Sequence, residues 1–161
     1  MSETTELSAE LHVLSQTLLE IHTHILDVER RSDPGLHGVQ GMNRLVNDPA
    51  WAWLRSLSSL IADIDHVLAS NEPLTSAEVA AIAAQVRGVL FGQGDRNDAG
   101  FLARYRPLLQ ANAALASTHG ELKRLLDCLP AESENESERL HARHLWAMRC
   151  KHRITRPTSR S

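Results

Sequence analysis

The sequence predicts an all-α protein, a short-loop antiparallel helical bundle of four to six helices, and three observations carry that expectation. Apolar residues recur in steps of three and four along the first 130 positions, which gathers them on one face of a helix with 3.6 residues per turn. Leu and Ala dominate an apolar fraction of 42%, whereas Phe, Trp and Tyr are few, a mixture that favours helices over sheets. No alternating apolar run bounded by turn residues offers a strand, and no internal repeat is visible.

The first helix is expected from about Thr5 to Arg31, on the stripe Leu7, Leu11, Leu14, Leu18, Ile21, Ile25, Val28. Asp33-Pro34-Gly35 stops it, because proline restricts the residue before it and glycine permits a turn; a Gly-bearing loop and a helical turn near Met42 to Val46 follow. Asp48-Pro49 reads as a helix N-cap with proline in the first turn, and the stripe Ala50, Leu54, Leu57, Ile61, Ile64, Leu68 continues to Asn71-Glu72-Pro73. Thr75 and Glu78 form a capping box that opens another helix, with Val79, Ile82, Val86 and Val89 inward. After a flexible connection from Gly92 to Gly100, a helix carries Leu102, Tyr105, Leu108 and Leu109, with Pro107 as a kink or late start. Thr118 and Glu121 mark a second capping box and the start of a last helix through Leu122, Leu125, Leu126 and Leu129, closed by Pro130.

The domain organisation expected is therefore a bundle over residues 1 to 130. An acidic linker and a basic, mobile tail over 131 to 161 complete it, the tail partly helical near Leu140 to Met148. Charge divides the same way. Residues 1 to 130 hold 10 Lys and Arg against 16 Asp and Glu, while 139 to 161 hold seven bases and no acid. An acidic body repels nucleic acid, so nucleic-acid contact is expected only weakly, through the tail. No stretch approaches the roughly 18 uninterrupted apolar residues of a membrane span, and Met1 to Glu6 is acidic rather than leader-like. Cys128 and Cys150 belong to no metal or disulfide motif. No membrane association and a cytoplasmic location are expected.

Along Asn47-Asp48-Pro49-Ala50-Trp51-Ala52-Trp53-Leu54-Arg55-Ser56-Leu57, continuing through Ile61 to Asp65, the chain resembles a family of small bacterial all-helical proteins, with a looser likeness over about residues 7 to 126. Ser56 stands where members of that family often carry proline, and the segment after Pro130 has no counterpart in it. The resemblance implies a bacterial origin and a helical domain, and brings with it no activity, cofactor or site residue.

The richest constellation lies where the first helix meets the one after Asp48. Trp51, Ser58 and Asp65 are one heptad apart on an edge of the apolar stripe, with Arg55 on its outer side, and His22 lies in line with Ser15 and Glu29 on the first helix. His22, Glu29, Trp51, Arg55, Ser58 and Asp65 are thus the candidate binding rim. The alternative for each is packing, with Trp51 under the loop from Pro34 to Gly41 and the polar groups tethering backbone. Nine histidines invite a metal, but Glu-x-x-His is absent from the body and Asp63-x-x-His66 projects away from the stripe. Neither Gly-x-Ser-x-Gly nor a phosphate loop occurs; Gly92-Gln93-Gly94 lacks the Lys-Ser/Thr ending. No catalytic residue, metal ligand or cofactor is predicted. The function expected is a non-enzymatic protein-interaction module, with the first helix, Leu19 and Leu26 as the surface for a homodimer. The alternative is a ligand- or metal-binding bundle, enzymatic or not, with a pocket near His22, Trp51 and Asp65.

Overall fold

The stripe of the first helix goes inside: Leu7, Leu11, Leu14, Leu18, Ile21 and Ile25 are all buried in the computed structural model, which describes residues 2–155. The described residues are all-helical and contain no strand. Helix α1 spans Ser2–Ser32, α2 Gly38–Asn47, α3 Ala52–Ala69, α4 Ser76–Phe91, α5 Ala99–Ala111, α6 Ala113–Cys128 and α7 Glu136–Thr155. Single 3-10 turns, Pro34–Leu36 and Pro49–Trp51, bracket α2. Among the described residues there are therefore seven α-helices, six of them within positions 1–130, where four to six were expected, and α7 in the segment read as linker and tail.

Both Asp-Pro steps work by one device. Asp33 accepts from the Gly35 amide at 3.0 Å and Asp48 from the Ala50 amide at 2.9 Å, so each carboxylate holds a 3-10 turn whose first position is proline. The Asp33 turn is further tied to α2 by Arg44 at 2.8 Å, and that guanidinium holds the Asp33 carboxyl below its usual range. Gly41 is required here, because a Cβ at this position would stand 2.0 Å from the Leu36 carbonyl.

Helix α4 is the centre of the molecule. Val79, Ala80, Ala81, Ile82 and Ala83 are consecutive and all buried, which occurs only when a helix is covered on every side. Its capping box forms as expected, with the Glu78 amide donating to Thr75 Oγ1 and the Thr75 amide to Glu78, both at 3.2 Å. Gly92 ends it in a left-handed conformation with φ of 68°. Helix α1 packs chiefly on α6 and α3.

One local expectation is corrected. Helix α6 starts at Ala113, capped by Asn112 Oδ1 accepting from the Leu115 amide at 3.0 Å. Thr118 therefore lies inside the helix and bonds back to the Ala114 carbonyl at 3.2 Å. A Thr-x-x-Glu pattern caps only where amides lack partners, and Asn112, alone between α5 and α6, has taken that position. Pro107 lies within α5, so of the two readings given for it the late start does not apply.

The larger correction is the segment after Pro130. Glu136–Thr155 forms α7 and packs on α4 and α3, with Ala142 and Trp146 buried. Its apolar content is low, so polar anchors do the rest. The Trp146 indole donates to Gln85 Oε1 at 2.6 Å. Arg143 pairs with Glu132 at 2.7 Å and Asp95 at 2.8 Å, and Arg149 meets the buried Glu78 carboxylate at 3.0 Å. The basic composition that resembled a solvated tail is spent on acids of the body. Positions 156 to 161 lie outside the described residues.

Candidate functional site

Of the six residues of the candidate rim, His22 and Ser58 bond to each other, Asp65 bonds to Ser15 outside the rim, and Glu29, Trp51 and Arg55 share no hydrogen bond with the others among the described residues. Ser15 Oγ on α1 donates to Asp65 Oδ1 on α3 at 2.5 Å, and His22 Nε2 lies 2.9 Å from Ser58 Oγ. Seven residues forward on α1 correspond to seven backward on α3, so heptad spacing on both helices brings the pairs into register across one seam. Ser15 is 2% exposed, whereas Asp65 is at the surface, so the carboxylate supplies a strong acceptor to an otherwise stranded hydroxyl.

The proton arrangement at Ser58 decides what the His–Ser pair can do. Ser58 Oγ lies 2.9 Å from His22 Nε2 and 3.3 Å from the Leu54 carbonyl, so the tautomer of His22 sets the direction: when the hydroxyl proton points to the carbonyl, the oxygen accepts from His22 Nε2–H. A general base would need the reverse, with the imidazole nitrogen accepting the serine proton. Burial lowers the His22 pKa, assisted by the positive charge of Arg30, and keeps the ring neutral. In either arrangement the pair ties α1 to α3.

Trp51 is 6% exposed, although projection onto the α3 wheel would set it aside from the core. It belongs to the 3-10 turn Pro49–Trp51, where the 100° rotation per residue of an α-helix does not apply. Its ring lies 6.2 Å from Trp53, and from there aromatic contacts pass to Phe101 at 5.9 Å, Tyr105 at 5.0 Å and His119 at 5.5 Å. Tyr105 and His119 share a 2.8 Å hydrogen bond; burial raises the tyrosine pKa and lowers that of the histidine, which leaves both neutral. Arg55 turns to the Asp48 carbonyl at 2.7 Å and steadies the start of α3. Glu29, half-buried, has no bond to the other five rim residues among the described residues.

Consequently the six residues do not converge on one point. Among the described residues no three His, Cys, Asp or Glu gather closely enough to hold a metal ion. Sizeable concavities occur elsewhere. One of about 650 Å³ lies between the end of α3, the start of α4 and α7, lined by His66, Glu78, Leu145 and Arg149 among others. A polar one of about 560 Å³ includes Ser56, Asp63, Gln85, Arg96 and Asp98. Here Ser56 donates to Asp98 at 2.5 Å, and Asp98 Oδ1 also caps α5 by accepting from the Phe101 amide at 3.0 Å. Arg96 is lowered in pKa by desolvation and by the nearby Arg143 charge.

Sequence patterns missed Gln85, Glu78, Arg143 and Arg149 as a group, because each lies far along the chain from its partners. The one available signal was the spacing of Ala142, Trp146 and Cys150, four residues apart on one helical line. No helix among the described residues is long and apolar enough to cross a membrane. No protein-family model, no curated protein and no solved structure matches the chain, so a reading of its function stands on its own residues.

Proposed function

We propose that this chain is a non-enzymatic helical interaction module that self-associates, built as an antiparallel bundle with short connections. One observation carries the reading. The exposed large apolar side chains fall on three helices: Val13 and Leu19 on α1, Val39, Met42 and Val46 on α2, and Leu140, Leu145 and Met148 on α7. His22, Ser58 and Asp65 of the candidate rim meanwhile spend bonds joining α1 to α3, and Arg55 spends one on the Asp48 carbonyl. Apolar groups collected on outer helix faces are what association uses, and polar groups consumed in tethers are unavailable to a substrate. Leu26, expected beside Leu19 at a subunit contact, is partly buried against the core, so Val13 takes its place in this reading. Only the single residue Asn112 separates α5 from α6, which supports antiparallel neighbours. Cys128 and Cys150 are not joined in a disulfide, which agrees with a reducing, cytoplasmic setting.

Native mass spectrometry of the full chain over a concentration series tests the reading. Multimers without added mass are expected. A stoichiometric metal or small molecule that is lost in His22→Ala would overturn it in favour of the ligand-binding alternative.

A further inference from the structure

The polar cavity of about 560 Å³ beside α3 is closed by the connection between α4 and α5, and that connection is tied down at three points. A Cβ on Gly88 would stand 2.3 Å from the Arg96 carbonyl oxygen, so the backbone at Arg96 lies directly on α4. Arg143 holds Asp95 at 2.8 Å. Asp98 accepts from Ser56 Oγ on α3 and, at 3.0 Å, from the Phe101 amide in the first turn of α5. The polar lining thus has three sources: Ser59 and Asp63 on α3, Gln85 on α4, and Arg96 and Asp98 on the connection.

Arg96 and Asp98 line one cavity and do not pair with each other. Among the described residues the Arg96 guanidinium has one hydrogen bond, a long one of 3.4 Å to Gln85 Oε1, an oxygen that already accepts from the Trp146 indole at 2.6 Å. The acids that act on it, Glu132 and Asp95, are both held by Arg143. Half-buried and close to the positive charge of Arg143, it is a cation without a carboxylate of its own, and desolvation makes that state costly. Asp98 is its counterpart. The bonds from Ser56 and Phe101 hold its carboxyl below the usual range, and each oxygen keeps a lone pair for one more donor.

We infer that this cavity binds a small zwitterionic amino acid, the ligand's carboxylate on the Arg96 guanidinium and its ammonium on the Asp98 carboxylate. The arginine fork matches a carboxylate in shape as well as in charge. A plain anion would satisfy Arg96 but face Asp98 and Asp63, and a plain cation would satisfy the acids but face Arg96. A molecule carrying both signs answers both, and the volume lies in the range usual for small-molecule sites. The site is separate from the His22–Ser58 seam and goes beyond the interaction-module reading, on which it does not depend.

The test uses the full chain and three zwitterions of increasing charge separation: glycine, β-alanine and γ-aminobutyrate. Acetate and methylammonium, each carrying a single charge, are the controls, and binding is read by ligand-observed NMR titration. At least one zwitterion is expected to bind about tenfold or more tighter than either control. Arg96→Gln and Asp98→Asn should each weaken that binding by about tenfold or more, as the loss of a charge-assisted bond does. Arg96→Gln gives up one long hydrogen bond and relieves repulsion with Arg143, so its melting should match the parent; Asp98→Asn keeps an oxygen for the Phe101 amide. His22→Ala should leave binding unchanged. Failure of all three zwitterions to bind, acetate bound as tightly as they are, or binding indifferent to Arg96→Gln overturns the proposal. Binding lost in His22→Ala and kept in Arg96→Gln overturns it too, and places the ligand at the α1–α3 seam.

Discussion

Replacing Trp146 with alanine tests whether α7 is held as the structure describes. Trp146 is 2% exposed, and truncating a buried tryptophan costs about 3–5 kcal/mol in lost transfer energy and residual cavity. The lost 2.6 Å bond to Gln85 contributes about 1 kcal/mol of that kind of cost. The remaining anchors cannot compensate. Ala142 contributes little apolar area, and the Arg143–Asp95 pair has a carboxylate 73% exposed, where an ion pair contributes at most about 1 kcal/mol. The Arg149–Glu78 contact is the stronger one, its carboxylate being only 6% exposed, but detachment of α7 returns both charges to water. Helix α7 should therefore release before the rest of the bundle unfolds. Hydrogen exchange by mass spectrometry should find the amides of α7 unprotected in Trp146→Ala while those of α4 and α1 keep most of their protection. Urea unfolding should record a loss of about 3–5 kcal/mol if α7 unfolds together with the body, and less if it releases first. Parental protection of α7 together with a stability change below about 1 kcal/mol would refute the docking.

Two further predictions concern the α1–α3 seam. Burial and the charge of Arg30 lower the folded-state pKa of His22, so the unfolded chain takes up a proton first as the pH falls through about 6.5. Stability is accordingly full above that pH and is lost toward the depressed folded value, at up to about 1.4 kcal/mol per pH unit. His22→Gln retains a donor for Ser58 and should flatten urea-measured stability between pH 7 and 5; an unchanged slope would remove His22 as the cause. A double-mutant cycle of Ser15→Ala and Asp65→Ala should return a coupling of about 1 kcal/mol for the bond between them, and strict additivity would mean that the pair contributes nothing as a pair.

Part of the site was legible because one helix repeats what its neighbour repeats. Heptad spacing put Ser15, His22 and Glu29 on one line and Ser58 and Asp65 on another, and the bonds Ser15–Asp65 and His22–Ser58 join those lines. Spacing could not reveal that the Leu54 carbonyl also stands within reach of the Ser58 hydroxyl, as a second acceptor beside His22. Nor could it place Trp51, whose burial follows from a 3-10 turn with a different rotation per residue.

What the sequence by itself determined were the features set by neighbours a few residues away: the helical class, the buried stripe of α1, the two Asp-Pro turns and the capping box at Thr75. Each depends on local backbone geometry and on hydrogen bonds spanning two to four residues, so a short window contains both partners. The fate of the basic C-terminal segment was decided only by the tertiary structure. Its composition is that of a solvated tail, and it becomes a packed helix because Glu78, Gln85, Asp95 and Glu132 happen to stand where Arg149, Trp146 and Arg143 can reach them. Charge is counted in the sequence, but whether a charge meets water or a carboxylate depends on residues distant in the chain, and there the fold alone decides.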